Sequence, residues 1–186
     1  MERGTYGYIK HRQSFLFKMT LACAAAVALL ATIGFIIWRT RFNLLMIPSM
    51  LCVLPLANYL ASYAAMAKYH TPSEELFAAV KAYDDAGMLM SDMIVVDEKG
   101  RRAGLDLAVI YKNGIVGYQG NEKESRDRVE ITINDTLKSR GIPMRIKVFR
   151  NFNEFTARLS DVPAVIEEAD ARKISLAKDA VKGVIM

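Results

Sequence analysis

The chain has 186 residues, 52% of them hydrophobic, with a formal charge of +5 and two cysteines. That length holds one membrane element and one domain of roughly 115 residues, which excludes two soluble domains. The charge does not mark a nucleic-acid surface: residues 1–69 carry seven Lys/Arg against one acid, whereas residues 70–186 carry 18 basic and 19 acidic side chains.

Residues 1–13 read as a basic N-terminal segment. Residues 14–69 hold two apolar runs, at about 19–38 and 42–67, joined by Trp38-Arg39-Thr40-Arg41-Phe42. A helix needs roughly 20 apolar residues to cross the hydrocarbon core, so both runs are long enough for a transmembrane hairpin. A buried soluble helix would carry a polar stripe. The apolar core of a signal peptide would end within roughly 15 residues. Arg3, Lys10, Arg12, Lys18, Lys68 and Lys81 flank the outer ends, against Arg39 and Arg41 in the linker. This predicts both termini on the cytoplasmic side of the cell membrane.

Within the hairpin, Ala22, Ala24–Ala26, Ala28 and Gly34 on one run and Ala57, Ala61, Ala64 and Ala65 on the other predict close mutual packing. Pro48 and Pro55 are expected to bend the second helix, and Asn58 to make an interhelical hydrogen bond. No ionisable residue other than cysteine or tyrosine lies deep in either run, which argues against a proton relay. Cys23 and Cys52 both fall in the runs, so no disulfide staples the polar part.

Residues 70–186 read as a cytoplasmic α/β domain. Thr71-Pro72-Ser73-Glu74 has the form of a capping box with Thr71 as N-cap, opening a helix that buries Leu76, Phe77, Val80 and Tyr83 and ends at Gly87. Strand-like runs follow at Met88–Val96, Leu105–Tyr111 and Ile115–Gln119. They are separated by a turn at Glu98–Arg102 and by Lys112-Asn113-Gly114, where Asn-Gly is expected to supply positive φ angles. Val129, Ile133 and Leu137 mark an amphipathic helix closed by Gly141. Met144–Phe149 alternates as a fourth strand. Asn151 caps a short helix burying Phe152, Phe155 and Leu159. A last helix reaches Lys182 with only a weak stripe (Val165, Ile166, Ala169, Leu176, Val181), and reads as a peripheral arm, a partner-binding helix or a frayed end. The fold class is therefore α+β: a two-helix hairpin, then a domain of order α-β-β-β-α-β-α-α with a mainly antiparallel sheet.

That order, together with Gly104-Leu105-Asp106-Leu107-Ala108-Val109 and Asn113-Gly114-Ile115-Val116-Gly117-Tyr118-Gln119-Gly120-Asn121, resembles the nuclease-related domains of the restriction-endonuclease-like superfamily. In that family an Asp on the second strand and a Glu-x-Lys after the third hold a divalent metal and activate water. The resemblance places the Asp on Asp106, the Glu on Gln119 and the Lys on Asn121, with Lys123 as the nearest substitute ammonium. Gln119 offers only a neutral carbonyl and Asn121 has no positive charge, so the implied Mg²⁺ chemistry is degenerate.

His11 and His70 have no companions at metal-ligand spacing. The glycines follow no phosphate-loop pattern. Asp84-Asp85, Glu167-Glu168 and the Arg145, Lys147, Arg150 face read as solvated surface. The leading expectation is a two-pass membrane protein whose domain is a non-catalytic interaction or assembly module, in contact with the lipid bilayer and with a protein partner or a second copy, with no cofactor and without a nucleic-acid partner. The alternatives are a membrane-anchored nuclease-like enzyme, with Asp106 as its metal ligand, and an oligomeric pore or transporter subunit.

Overall fold

The computed structural model describes residues 2–38, 46–82, 84, 88–161 and 168–185. The linker residues Arg39, Thr40, Arg41 and Phe42, together with Tyr83, Asp85, Gly87, Pro163, Val165, Ile166 and Glu167, lie outside them, as do the side chains of Trp38, Glu168 and Ala169. The described residues form an α+β protein with six helices and one four-stranded mixed sheet. They divide into two units: Ile9–Tyr69, and Met1–Tyr8 together with His70–Met186.

The first unit is a helical pair. α1 (Tyr8–Trp38) and α2 (Met46–Met66) are both long and apolar enough to cross a membrane. At 1.5 Å per residue, α2 spans about 31 Å. α1 begins eleven residues before the apolar run does. Lys10, Arg12 and Lys18 are good helix formers, so charge marks where apolarity starts but not where the helix starts. Leu21, Leu29, Phe35, Ile36 and Ile37 on α1, and Ile47, Met50, Leu51, Leu54 and Leu60 on α2, are each more than half exposed, so no protein core covers them.

The two helices run antiparallel, as three crossing points show. Gln13 Nε2 donates to the carbonyls of Met66 (2.7 Å) and Tyr69 (2.8 Å). Phe17 packs on Tyr63 at 5.7 Å between ring centroids, and Ser49 Oγ donates to the Val27 carbonyl at 3.4 Å. Gln13 thereby satisfies carbonyls that the end of α2 leaves without a helical donor. The small residues expected to form a close seam divide: Ala22, Ala25, Ala28, Ala57, Ala61 and Ala64 are exposed, Ala24, Ala26 and Ala65 are half-buried and Gly34 is buried, while close backbone approaches between the two helices are few. Pro48 falls in the first turn of α2, where no intrahelical bond is lost, leaving Pro55 as the proline inside the helix. Asn58 is exposed and makes no interhelical hydrogen bond.

In the second unit, α3 (Glu74–Lys81) is capped by Ser73, whose hydroxyl accepts from Leu76 N, and not by Thr71. Thr71 instead donates to Asp92 Oδ2 at 3.2 Å, a tertiary bond that overrides the local capping pattern. β1 (Leu89–Val96), β2 (Arg102–Tyr111) and β3 (Gly114–Tyr118) form an antiparallel meander. α4 (Arg126–Ser139) then crosses over, so that β4 (Ile146–Phe149) pairs with β3 in parallel.

The β2–β3 turn is tighter than expected. Tyr111 pairs with Gly114, leaving Lys112-Asn113 as the two-residue loop, and neither Asn113 nor Gly114 has positive φ. Gly114 is required for a different reason: a Cβ there would lie 2.8 Å from the Arg145 carbonyl. Gly141 (φ +68°) does close α4 in the left-handed conformation, with Ile142 N on the Leu137 carbonyl and Gly141 N on that of Lys138.

The core lies where Val129, Ile133 and Leu137 of α4 meet the sheet, and all three are buried as their spacing predicts. α5 (Phe152–Ser160), capped by Asn151, adds Phe155 and Leu159, and Phe152 and Phe155 surround Tyr118. α6 (Glu168–Lys182) is no peripheral arm. Its buried stripe is Asp170, Ile174, Ala177 and Val181, while Leu176 points outward. An acid heads that stripe, tied to Lys112 at 2.8 Å, which hid the period in the sequence.

Both sheet edges are closed. On β4, Ile146 N donates to Asn134 Oδ1 (2.8 Å) and Val148 N to Glu130 Oε1 (2.7 Å), so two α4 side chains one turn apart occupy the donors of the free edge. On β1, Ser91 N donates to the Gly4 carbonyl (3.0 Å), Val96 N to that of Val184 (3.0 Å), and Val95 bridges Ile185. The N-terminal segment is held further by Arg3 on the Ile185 carbonyl (3.0 Å), Glu2 on Lys182 (3.2 Å) and Tyr6 stacked on Phe77 at 4.2 Å. Burial and the carboxylates of Glu74 and Asp92 hold the Tyr6 phenol above the usual tyrosine range, protonated to donate to the Pro72 carbonyl.

Asn134→Ala would strip Ile146 N of its acceptor at a half-buried edge. The expected loss is about 1–3 kcal/mol, read as a lower denaturant midpoint of the full chain in detergent. An unchanged midpoint would show that water serves that edge equally well.

Candidate functional site

Two of the residues singled out by the sequence, Asp106 and Gln119, meet where the first half of β2 faces the loop after β3. Asp106 is half-buried on β2. Its Oδ2 accepts from Gly120 N at 2.6 Å. Gln119, fully buried, donates Nε2 to the Gly104 carbonyl at 2.6 Å, and its Oε1 has no hydrogen-bond partner. Glu124 accepts from the N–H of the same Gly104. Three polar side chains thus sew the 119–124 loop to β2 by gripping its backbone, two of them on one residue.

Glu124 was not foreseen. It immediately precedes Ser125, the N-cap of α4, and nothing in its local sequence ties it to Gly104, twenty residues earlier. The other two candidates stay apart from the cluster. Asn121 is exposed, its Oδ1 accepting from Lys123 N at 3.1 Å in a local turn. Lys123 is exposed, and neither residue bonds to Asp106. The structure therefore joins Asp106 and Gln119 through Gly104 and Gly120 and adds Glu124.

Burial raises the Asp106 carboxyl above its ordinary value; the Gly120 N–H opposes this and the nearby Glu124 carboxylate adds to it. Tyr118 is raised as well, by burial and by Asp106. A second acid stands across from Asp106 on β1. Asp92 lies between Ser91, paired with Leu107, and Met93, paired with Leu105, and is the one position of that ladder where pairing lapses. With φ at +54° it leaves the ladder, and its carboxylate takes the Thr71 hydroxyl. Two carboxylates held directly opposite would repel, and this departure relieves them.

Two grooves lie elsewhere on this unit. One of about 590 Å³ runs between the Asp97–Arg101 turn and α4, past Arg128, Ile131 and Asp135. Another of about 820 Å³ lies beside Asn134, Lys138 and Pro143. Asp106, Gln119 and Glu124 line neither. His11 and His70 are exposed, and among the described residues no three His, Cys, Asp or Glu side chains are grouped to hold a metal ion. Arg145, Lys147 and Arg150 are exposed, with Arg150 donating to the Glu124 carbonyl at 2.9 Å. In comparisons with known proteins, no family model, curated protein or solved structure matches the chain.

The raised Asp106 sets a pH dependence whose sign is fixed. A carboxyl whose folded value lies above its unfolded one binds more protons when folded, so its contribution to stability is complete below about pH 4 and is lost as pH rises through the folded value. Asp106→Asn keeps an acceptor for Gly120 N and cannot ionise. Thermal melts of the two full-length proteins should nearly coincide at the acid end, with the variant gaining as pH rises and the gap then levelling. A gap that narrows with rising pH would contradict the assignment.

Proposed function

We propose that this is a two-pass integral membrane protein whose polar α+β domain is a non-catalytic interaction or assembly module held at the membrane surface. One observation carries the reading. The residues before α1 are bonded to the domain after α2, through Gly4 on Ser91, Arg3 on Ile185 and Glu2 on Lys182. Chain ends so joined share one side of any bilayer, and two helices long and apolar enough to cross lie between them. The excess of Lys and Arg at the outer ends over the linker supports the cytoplasm as that side, and the membrane of this proposal is the cell membrane.

The domain's polar clusters support the non-catalytic half of the proposal. Asp106, Glu124 and Gln119 each spend a polar atom on neighbouring backbone. A second reading, a degenerate nuclease-like domain, is favoured by the meander with a parallel fourth strand, by Asp106 on β2 with Gln119 just past β3, and by the unpartnered Gln119 Oε1. Under that reading the two carboxylates and the amide oxygen would hold Mg²⁺, an oxygen-seeking cation.

Topology is tested with single cysteines introduced for Thr5, Thr40 and Glu98 in the otherwise cysteine-free full chain. In sealed vesicles of known orientation, an impermeant maleimide should label the first and third from one face and the second from the other. Labelling of all three from one face would remove the hairpin. The choice between the two readings is made with Asp106→Ala. An interaction module keeps the same partners in a detergent pull-down and shows no cleavage of DNA or RNA with Mg²⁺ or Mn²⁺ in parent or variant. Metal-dependent turnover by the parent that the variant loses would establish the enzyme instead.

A further inference from the structure

The outer face of α2 carries an amide with nothing to bind. Asn58 is exposed and has no hydrogen bond or ion pair among the described residues. Three hydroxyls of the hairpin return to backbone, Thr20 to the Leu16 carbonyl, Thr32 to that of Ala28 and Ser49 to that of Val27, and Asn58 is the amide of α2 that does not. Asn58 shares a helix face with Leu51, Leu54 and Ala61, spaced three and four apart, and all four are exposed. Ser49, Tyr63 and Met66, which meet α1, lie on the other side of the helix. Pro55 adds a second polar group on the outer side, since it has no N–H to offer the Leu51 carbonyl.

In hydrocarbon an unpaired amide is costly, and its natural partner is another polar side chain at the same depth. Copies of one chain inserted with one topology place their α2 helices parallel, so each residue meets its own counterpart across a two-fold axis. An asparagine is both donor and acceptor and therefore complements itself, as a single core asparagine does in parallel coiled coils. Ala61 beside it allows the helices to approach closely.

We propose that α2 is a homodimerisation helix, in which the Leu51, Leu54, Asn58 and Ala61 face packs on the same face of a second copy and the two Asn58 amides hydrogen-bond to each other. This names the partner of the assembly module, and it rests on the reading that α2 lies in a membrane.

The test uses the full chain with Cys23 and Cys52 replaced by serine and one cysteine introduced for Leu54 or for Leu60, which lies off the stripe. On oxidation in intact membranes, L54C should give disulfide-linked dimer about tenfold above L60C, and adding Asn58→Leu should lower that yield about tenfold, whereas Asn58→Gln, which keeps donor and acceptor, should largely preserve it. Equal yields from L54C and L60C overturn the proposal without relying on any Asn58 variant, and so does an undiminished yield with Asn58→Leu. Alkaline carbonate extraction separates the two levels of inference. A protein washed off by carbonate removes the membrane reading itself, while an integral protein without the L54C dimer removes only the dimer.

Discussion

The bond between the Gly4 carbonyl and Ser91 N is the constraint on which the rest of this protein hangs. A sheet edge presents a row of unpaired donors and acceptors that will recruit another chain if left open. Here the β1 edge is closed by two stretches of the same chain, one from before the helical pair and one from its last residues, with Val184 on Val96 and Ile185 on Val95. The hydrophobic core under the sheet could form without this clasp. The clasp is what joins the residues before α1 to the domain after α2 in one unit.

Many of the polar side chains of this protein serve its backbone. Asp106, Gln119 and Glu124 fasten one loop; Glu130 and Asn134 occupy the opposite sheet edge; Gln13 caps the end of α2. Each replaces a hydrogen bond that water would otherwise supply, which matters most where the backbone is partly buried. The same rule bears on Asn58, whose amide is left without such a duty.

What the sequence revealed follows the reach of the interactions concerned. The apolar runs, the four-residue spacing of Val129, Ile133 and Leu137, the alternation of Met144, Ile146 and Val148, and the Gly141 stop all depend on residues a few positions apart, and all were legible. Thr71 has the local pattern of a cap, but its hydroxyl answers to Asp92, on a strand 21 positions along the chain. The α6 stripe was missed because its first member is Asp170, made tolerable in the core by Lys112. Gly114 was assigned to turn geometry when its real constraint is the Arg145 carbonyl. At the candidate site, Asp106 and Gln119 were visible as an acid and an amide out of place among apolar residues, but Glu124 could not be connected to them without knowing where Gly104 lies.

The clasp also has a consequence in time. Residues 2–7 leave the ribosome before the helical pair and before every group they bind, and Arg3 and Ile185 are 182 positions apart. In the proposed two-pass arrangement the β1 edge stays open until the helical pair and the strands have been made, so residues 2–7 wait on groups far along the chain. Because it is tethered through the hairpin, its capture is an intramolecular step governed by effective concentration and independent of how much protein the cell makes. Under that two-pass reading, closing of the β1 edge is coupled to the chain having returned to the side that holds residues 2–7.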